Sequence, residues 1–114
     1  ESENAVNCME EMAKIPYVDG FVIGPMDLSG SVGCLGKHKN AEVDELINRA
    51  IAVAHAADLP IGISTGSDDP EELQRWIEKG VDFISASTDS WSIIKGERDL
   101  LQSMQLISQQ YPRV

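Results

Sequence analysis

The sequence predicts an α/β fold built on a parallel sheet, on three observations. Short apolar runs alternate with amphipathic helical stretches, no hairpin signal joins any two runs, and the runs are apolar on both faces, as in strands covered by helices. The order is helix, strand, helix, strand, helix, strand, helix. Residues 3–14 space Ala5, Val6, Met9, Met12 and Ala13 as a helix, with Ser2 as N-cap and Pro16 as the stop. Val18 to Ile23 reads as the first strand, with Asp19 at its mouth. From Asn40, Val43, Leu46, Ile47, Ala50, Ile51 and Ala54 recur at helical spacing, the clearest stripe in the chain. Pro60 to Ser64 is the second strand. Asp69-Pro70-Glu71-Glu72 supplies an N-cap, a proline at the first helical position and a Glu placed to close a capping box, and Gly80 ends that helix. Val81 to Ala86 is the third strand, and a last helix from about Ser90 is expected to bury Ile94, Leu101, Met104 and Ile107 on one side.

Such units wind right-handed into a parallel sheet. Three strands fall short of the five or more of a free-standing doubly wound sheet and leave two bare edges. The simplest completion places five strands upstream, so residues 1–114 are expected to form a single-domain fragment, the C-terminal part of a (β/α)8 barrel with about three parallel strands and four helices. The opening Glu1-Ser2-Glu3, without Met, fits that expectation.

Composition narrows the function. The net charge of −10 repels phosphate backbones and anionic membrane surfaces, and no run is long and apolar enough to span a bilayer, so neither nucleic acid nor membrane is expected as a partner. Cys8 and Cys34 match no metal-ligand spacing, and reduced thiols in a cytoplasm are the simpler reading.

Sites in parallel α/β folds lie where strands run into the following helices. Asp27, in GPMDLSGSVG at residues 24–33, has that place. Asp27 and Ser29 also suit the plain task of satisfying turn amides. Gly24-Pro25 stiffens the strand exit, and Gly30, Gly33 and Gly36 would let backbone approach a small ligand closely.

Glu1, the helix after it, and the run Val18-Asp19-Gly20-Phe21-Val22-Ile23-Gly24-Pro25-Met26-Asp27-Leu28-Ser29 followed by Gly33 resemble the HpcH/HpaI aldolases, class II pyruvate-dependent aldolases of the phosphoenolpyruvate/pyruvate barrel superfamily. The resemblance continues through Gly62-Ile63, Gly80-Val81-Asp82-Phe83 and Asp89. It implies a carbon–carbon lyase that cleaves a 2-oxo-3-deoxy sugar acid or 4-hydroxy-2-oxo acid to pyruvate and an aldehyde. It implies that Glu1 and Asp27 bind a divalent metal, Mg²⁺ or Mn²⁺, with Co²⁺ as an alternative. Two carboxylates on neighbouring strand tips, about 5 Å apart, suit one hard cation and leave room for a 2-oxo acid to chelate it. The backbone amides of Met26 and Asp27 would receive the substrate carboxylate, and Ser64 stands where the family often lines the pocket with an apolar residue.

The base and the arginine such chemistry needs are expected upstream, because Arg49, Arg75 and Arg98 all fall on helices. The segment by itself is therefore expected to be inactive. Of the two histidines, His38 lies between lysines in a solvated loop and His55 beside the long helix's stripe, both read as exposed. The serine-rich runs Ser64-Thr65-Gly66-Ser67 and Ser85-Ala86-Ser87-Thr88-Asp89-Ser90 serve as phosphate loops or as helix caps. Trp91 is a core residue or an interface anchor, since in this superfamily the last helix packs on a neighbouring subunit; a homo-oligomer through that helix is expected. Two other readings stand beside the aldolase: a citrate lyase β-like enzyme acting on CoA thioesters, and a non-catalytic half-barrel that associates through its open edges.

Overall fold

In the computed structural model, which describes residues 1–37 and 39–111, three strands form one parallel sheet in the order β1-β2-β3. They are β1 (Phe21–Ile23), β2 (Ile61–Ser64) and β3 (Phe83–Ser85), with Ile23 opposite Ile63 and Ser64 opposite Ser85. The helices are α1 (Glu3–Asn7), α2 (Met9–Met12), α3 (Pro25–Ser31), α4 (Ala41–Ala56), α5 (Pro70–Glu78) and α6 (Asp89–Gln110). His38 lies outside the described residues.

The strands are shorter than the apolar runs. Val18 to Gly20 lead into β1 through a turn, Val18 N–H donating to Ile15 C=O, and the ladder begins where Phe21 N–H meets Pro60 C=O at 2.9 Å. A Cβ on Gly20 would stand 2.8 Å from that same Pro60 oxygen, so only glycine fits the strand's entry.

Among the described residues six helices replace the expected four, for two separate reasons. The first helix is interrupted at Cys8, whose φ of −97° and ψ of 2° close α1 and open α2. Residues 25–31, read as a loop, close into a short helix because Pro25 is preset for a first helical turn and Gly24 serves as its N-cap. Caps read from sequence hold elsewhere: Ser2 accepts from Ala5 N–H and Asp69 from Glu71 N–H, while Gly80 takes a φ of +88° just past α5; Asn40, where the long helix was expected to begin, also caps it through Glu42 N–H.

The core sits where α4 covers the sheet. Val43, Leu46, Ile47, Ala50, Ile51 and Ala54 are all at most 7% exposed and join Ile23, Leu28, Ile61, Ile63 and Trp76 in one cluster. Val6 and Met9 close it from the side of α1 and α2. A polar strut ties α4 to α5: Asp44 accepts from Arg75 at 2.6 Å and from Lys79 at 2.8 Å, and Lys79 also donates to Asn48. Partial burial pushes the Asp44 carboxyl up, but the two cations outweigh that and hold it below its ordinary value.

The last helix departs from expectation. α6 buries none of its residues; Ile94, Leu101, Met104 and Ile107, expected in the core, are 44–60% exposed. This 22-residue helix is included in the molecule's extents of 71 × 29 × 22 Å, and its stripe is left uncovered among the described residues. Trp91 is 37% exposed, with the Arg98 guanidinium over its ring, which removes the core reading for it. No helix is long and apolar enough to cross a membrane among the described residues.

Candidate functional site

The register of the sheet puts the site together. Ile23 pairs with Ile63, so Gly24 and Ser64 follow at the same carboxyl edge, and Ser85 lies opposite Ser64 one strand over. β1 delivers the chain into α3 through Gly24, which is buried at the turn. Leu28 N–H donates to Gly24 C=O at 2.9 Å, the first bond of that helix. The amides of Met26 and Asp27 lie ahead of it and have no helical acceptor. Asp27 itself occupies the first turn and is exposed, as is Met26.

Glu1 reaches the same place from the other side. A Cβ added to Gly24 would stand 3.2 Å from Asp27 Oδ2, 3.3 Å from Glu1 Cγ and 3.4 Å from Glu1 Oε1. The two carboxylates thus converge on one point, and that point is kept open by the missing side chain of residue 24. Here the close approach belongs to Gly24 and not to Gly33 or Gly36, which have nothing within 4 Å of an added Cβ and take φ of +73° and +81° to form the turn after α3.

Two serines hold the turn rigid. Ser29 is fully buried, donates to Met26 C=O at 2.6 Å and accepts from Gly36 N–H at 3.1 Å, closing the loop behind Asp27. Ser31 donates to Leu28 C=O at 2.7 Å and accepts from Glu3 N–H at 2.9 Å. Sequence reading placed Ser29 in the turn but missed Ser31, whose partner is 28 residues away and leaves no local pattern.

Among the described residues no group of three or more His, Cys, Asp or Glu side chains is placed to hold a metal. The Glu1–Asp27 pair is a two-carboxylate set, which suits a hard cation that keeps most of its positions for water and an oxygen-rich substrate, and Gly24 leaves space beside both oxygens. The stem of Glu1 also borders an apolar cavity of about 160 Å³ with Met9, Phe21 and Leu28. A concavity of about 430 Å³ between α2 and α4 is lined by Ala13, Arg49, Val53 and Ala57 and touches none of the site residues.

Ser64 is exposed at the tip of β2, on the same sheet edge as Gly24. The other candidates fall elsewhere. Arg49 binds Asn7 on α1, Arg75 binds Asp44, and Arg98 lies over Trp91 on α6. His55 is exposed and lies 3.0 Å from Asp82, below β3, where Asp82 also accepts from Ile61 N–H at 2.8 Å. That backbone donor, then His55, holds the Asp82 carboxyl below its ordinary value. The serine runs act as caps and loop ties: Thr65 accepts from Ser67 N–H, and Thr88 caps α6 through Trp91 N–H. Cys8 and Cys34 are free thiols.

Known proteins resemble this chain in sequence and in fold. The chain is 31% identical over 104 residues to 2-dehydro-3,6-dideoxy-6-sulfogluconate aldolase of Pseudomonas putida, covering 91% of the chain and 40% of that protein. It is 33% identical over 89 residues to the hydroxypyruvate/pyruvate aldolase of Chromohalobacter salexigens, covering 78% of the chain and 34% of that protein. A solved HpcH/HpaI aldolase/citrate lyase family protein from Burkholderia cenocepacia superposes with a TM-score of 0.82 at 30% identity, over 92% of this chain and 40% of that one. The chain thus spans about 34–40% of the length of these relatives. Its three parallel strands and their helices are the C-terminal part of such an α/β barrel. With a family model matching residues 1–96, the chain belongs to the HpcH/HpaI aldolase/citrate lyase family.

Proposed function

We propose that this chain supplies the cation-binding edge of a metal-dependent aldolase, a carbon–carbon lyase that cleaves a 2-oxo-3-deoxy sugar acid or 4-hydroxy-2-oxo acid to pyruvate and an aldehyde. The observation that carries the reading is the convergence of Glu1 and Asp27 on Gly24. The two carboxylates would hold Mg²⁺ or Mn²⁺ through oxygen alone, with Co²⁺ as an alternative. When bound, such an ion supplies Lewis-acid polarisation of the substrate's 2-oxo group.

The chain's own residues do the rest of the holding. The Met26 and Asp27 amides at the start of α3 donate to the substrate carboxylate, and the closed turn behind them, fixed by buried Ser29, keeps those donors aimed without reorganisation. Ser64 offers a hydroxyl at the neighbouring strand tip, which favours a polar aldehyde half over an apolar one. The proton-transfer group and the arginine come from outside these residues, since Arg49, Arg75 and Arg98 are engaged on helices away from the strand tips, and the 114-residue chain by itself is expected to be inactive.

Exposed α6, with Trp91 near its start, is the surface through which copies associate, and a reducing cytoplasm suits the two free thiols. A citrate lyase β-like activity on CoA thioesters shares the family and the acidic pair. A non-catalytic half-barrel joined through its edges needs neither carboxylate. In the complete encoded protein, Asp27→Asn is expected to abolish pyruvate release from a 4-hydroxy-2-oxo acid while leaving the melting temperature unchanged; retained turnover would refute the reading.

A further inference from the structure

Asp27 and Ser31 stand four residues apart on α3, one turn along the same helix face. From that face the Ser31 hydroxyl donates to Leu28 C=O at 2.7 Å and accepts at 2.9 Å from Glu3 N–H. Glu3 is the first residue of α1, where a backbone N–H has no helical acceptor. Ser2 satisfies the Ala5 amide of that end locally, and the tie to Ser31 links the start of α1 across to α3. Glu1 lies two residues before the amide that Ser31 grips.

We infer that Ser31 is a positioning residue for the Glu1–Asp27 pair, its hydroxyl clasping the segment that bears one carboxylate to the helix that bears the other. The inference rests on the cation reading above and deepens it. Its physical content is preorganisation: two carboxylates repel, and whatever holds them facing one point before a cation arrives raises the affinity for that cation. Ser31 is exposed, so its removal leaves no buried unsatisfied group, and Glu3 N–H turns to water. The loss should therefore appear in metal affinity rather than in folding.

The test is a Mn²⁺ titration of the complete encoded protein, read by the electron paramagnetic resonance of free Mn²⁺, with melting temperature measured in parallel. Ser31→Ala is expected to raise the Mn²⁺ dissociation constant about fivefold, and Ser31→Thr, which keeps the hydroxyl, to return it to within about twofold of wild type. Asp27→Asn is expected to lose Mn²⁺ binding. If Asp27→Asn loses binding while Ser31→Ala keeps the wild-type constant, or if Ala and Thr weaken it equally, the clasp is refuted and the cation site stands. If Asp27→Asn binds Mn²⁺ as wild type does, the site and the clasp fall together.

Discussion

Helices α4 and α6 carry apolar stripes of the same kind and meet opposite fates. The stripe of α4 is sealed against β1 and β2, with no member more than 7% exposed, whereas α6 keeps Ile94, Leu101, Met104 and Ile107 near half exposure. Periodicity states that a helix has a face to bury; it does not state which surface covers it. For α4 the cover is the sheet that its own flanking strands build, together with α1, α2 and α3. For α6 no covering surface lies among the described residues, so a stripe of the same kind leaves a bare face.

The largest effect that would test this contrast comes from truncating a side chain in each stripe. In the 114-residue chain, Ile47→Ala on α4 is expected to cost about 2–5 kcal/mol in denaturant unfolding, and Leu101→Ala on α6 to stay within about 0.5 kcal/mol. Equal losses would mean that α6 packs as α4 does. A smaller effect is expected at the sheet. The Phe83 ring lies directly against the space a Cβ would take on Gly62, its cross-strand partner, so Gly62→Ala must displace the ring and is expected to cost about 1–3 kcal/mol.

The smallest of the three lies in the strut between α4 and α5. Asp44→Asn is expected to cost about 1 kcal/mol or less at neutral pH, since the pair is partly screened by solvent. The sign with pH follows from the depressed carboxyl: folded Asp44 takes its proton less readily than unfolded Asp44, so its contribution is present above the ordinary carboxylate value of about 4 and lost as pH falls through the folded value. Melting curves of wild type and Asp44→Asn should therefore converge in acid; a gap that widened as pH fell would contradict the assignment.

The parts of the fold that were legible from sequence are those fixed by neighbours in the chain. Asn40, Asp69-Pro70 and Gly80 mark helix ends through contacts of one to three residues, and the α4 stripe and three strands follow from periodicity. Cys8 carries no breaking signal, yet the helix divides there. Residues 25–31 looked like a glycine-rich loop because Gly30 and Gly33 argue against a helix, while the preset Pro25 and the ties of Ser29 and Ser31 favour one.

The candidate site divides in the same way. Asp27 was found by its place after a strand. Glu1 was found only through resemblance, because nothing around a residue at that position points to a partner 26 residues on. The role of Gly24 as the open space between them required coordinates, as did the reach of Ser31 to Glu3.

The central claim, that Glu1 and Asp27 share one cation beside Gly24, is most directly tested by a crystal structure of the complete encoded protein soaked in Mn²⁺. The account expects an anomalous peak within coordination distance of both carboxylates, about 2.0–2.3 Å. A peak that touches neither, or side chains that point to separate faces, would contradict it.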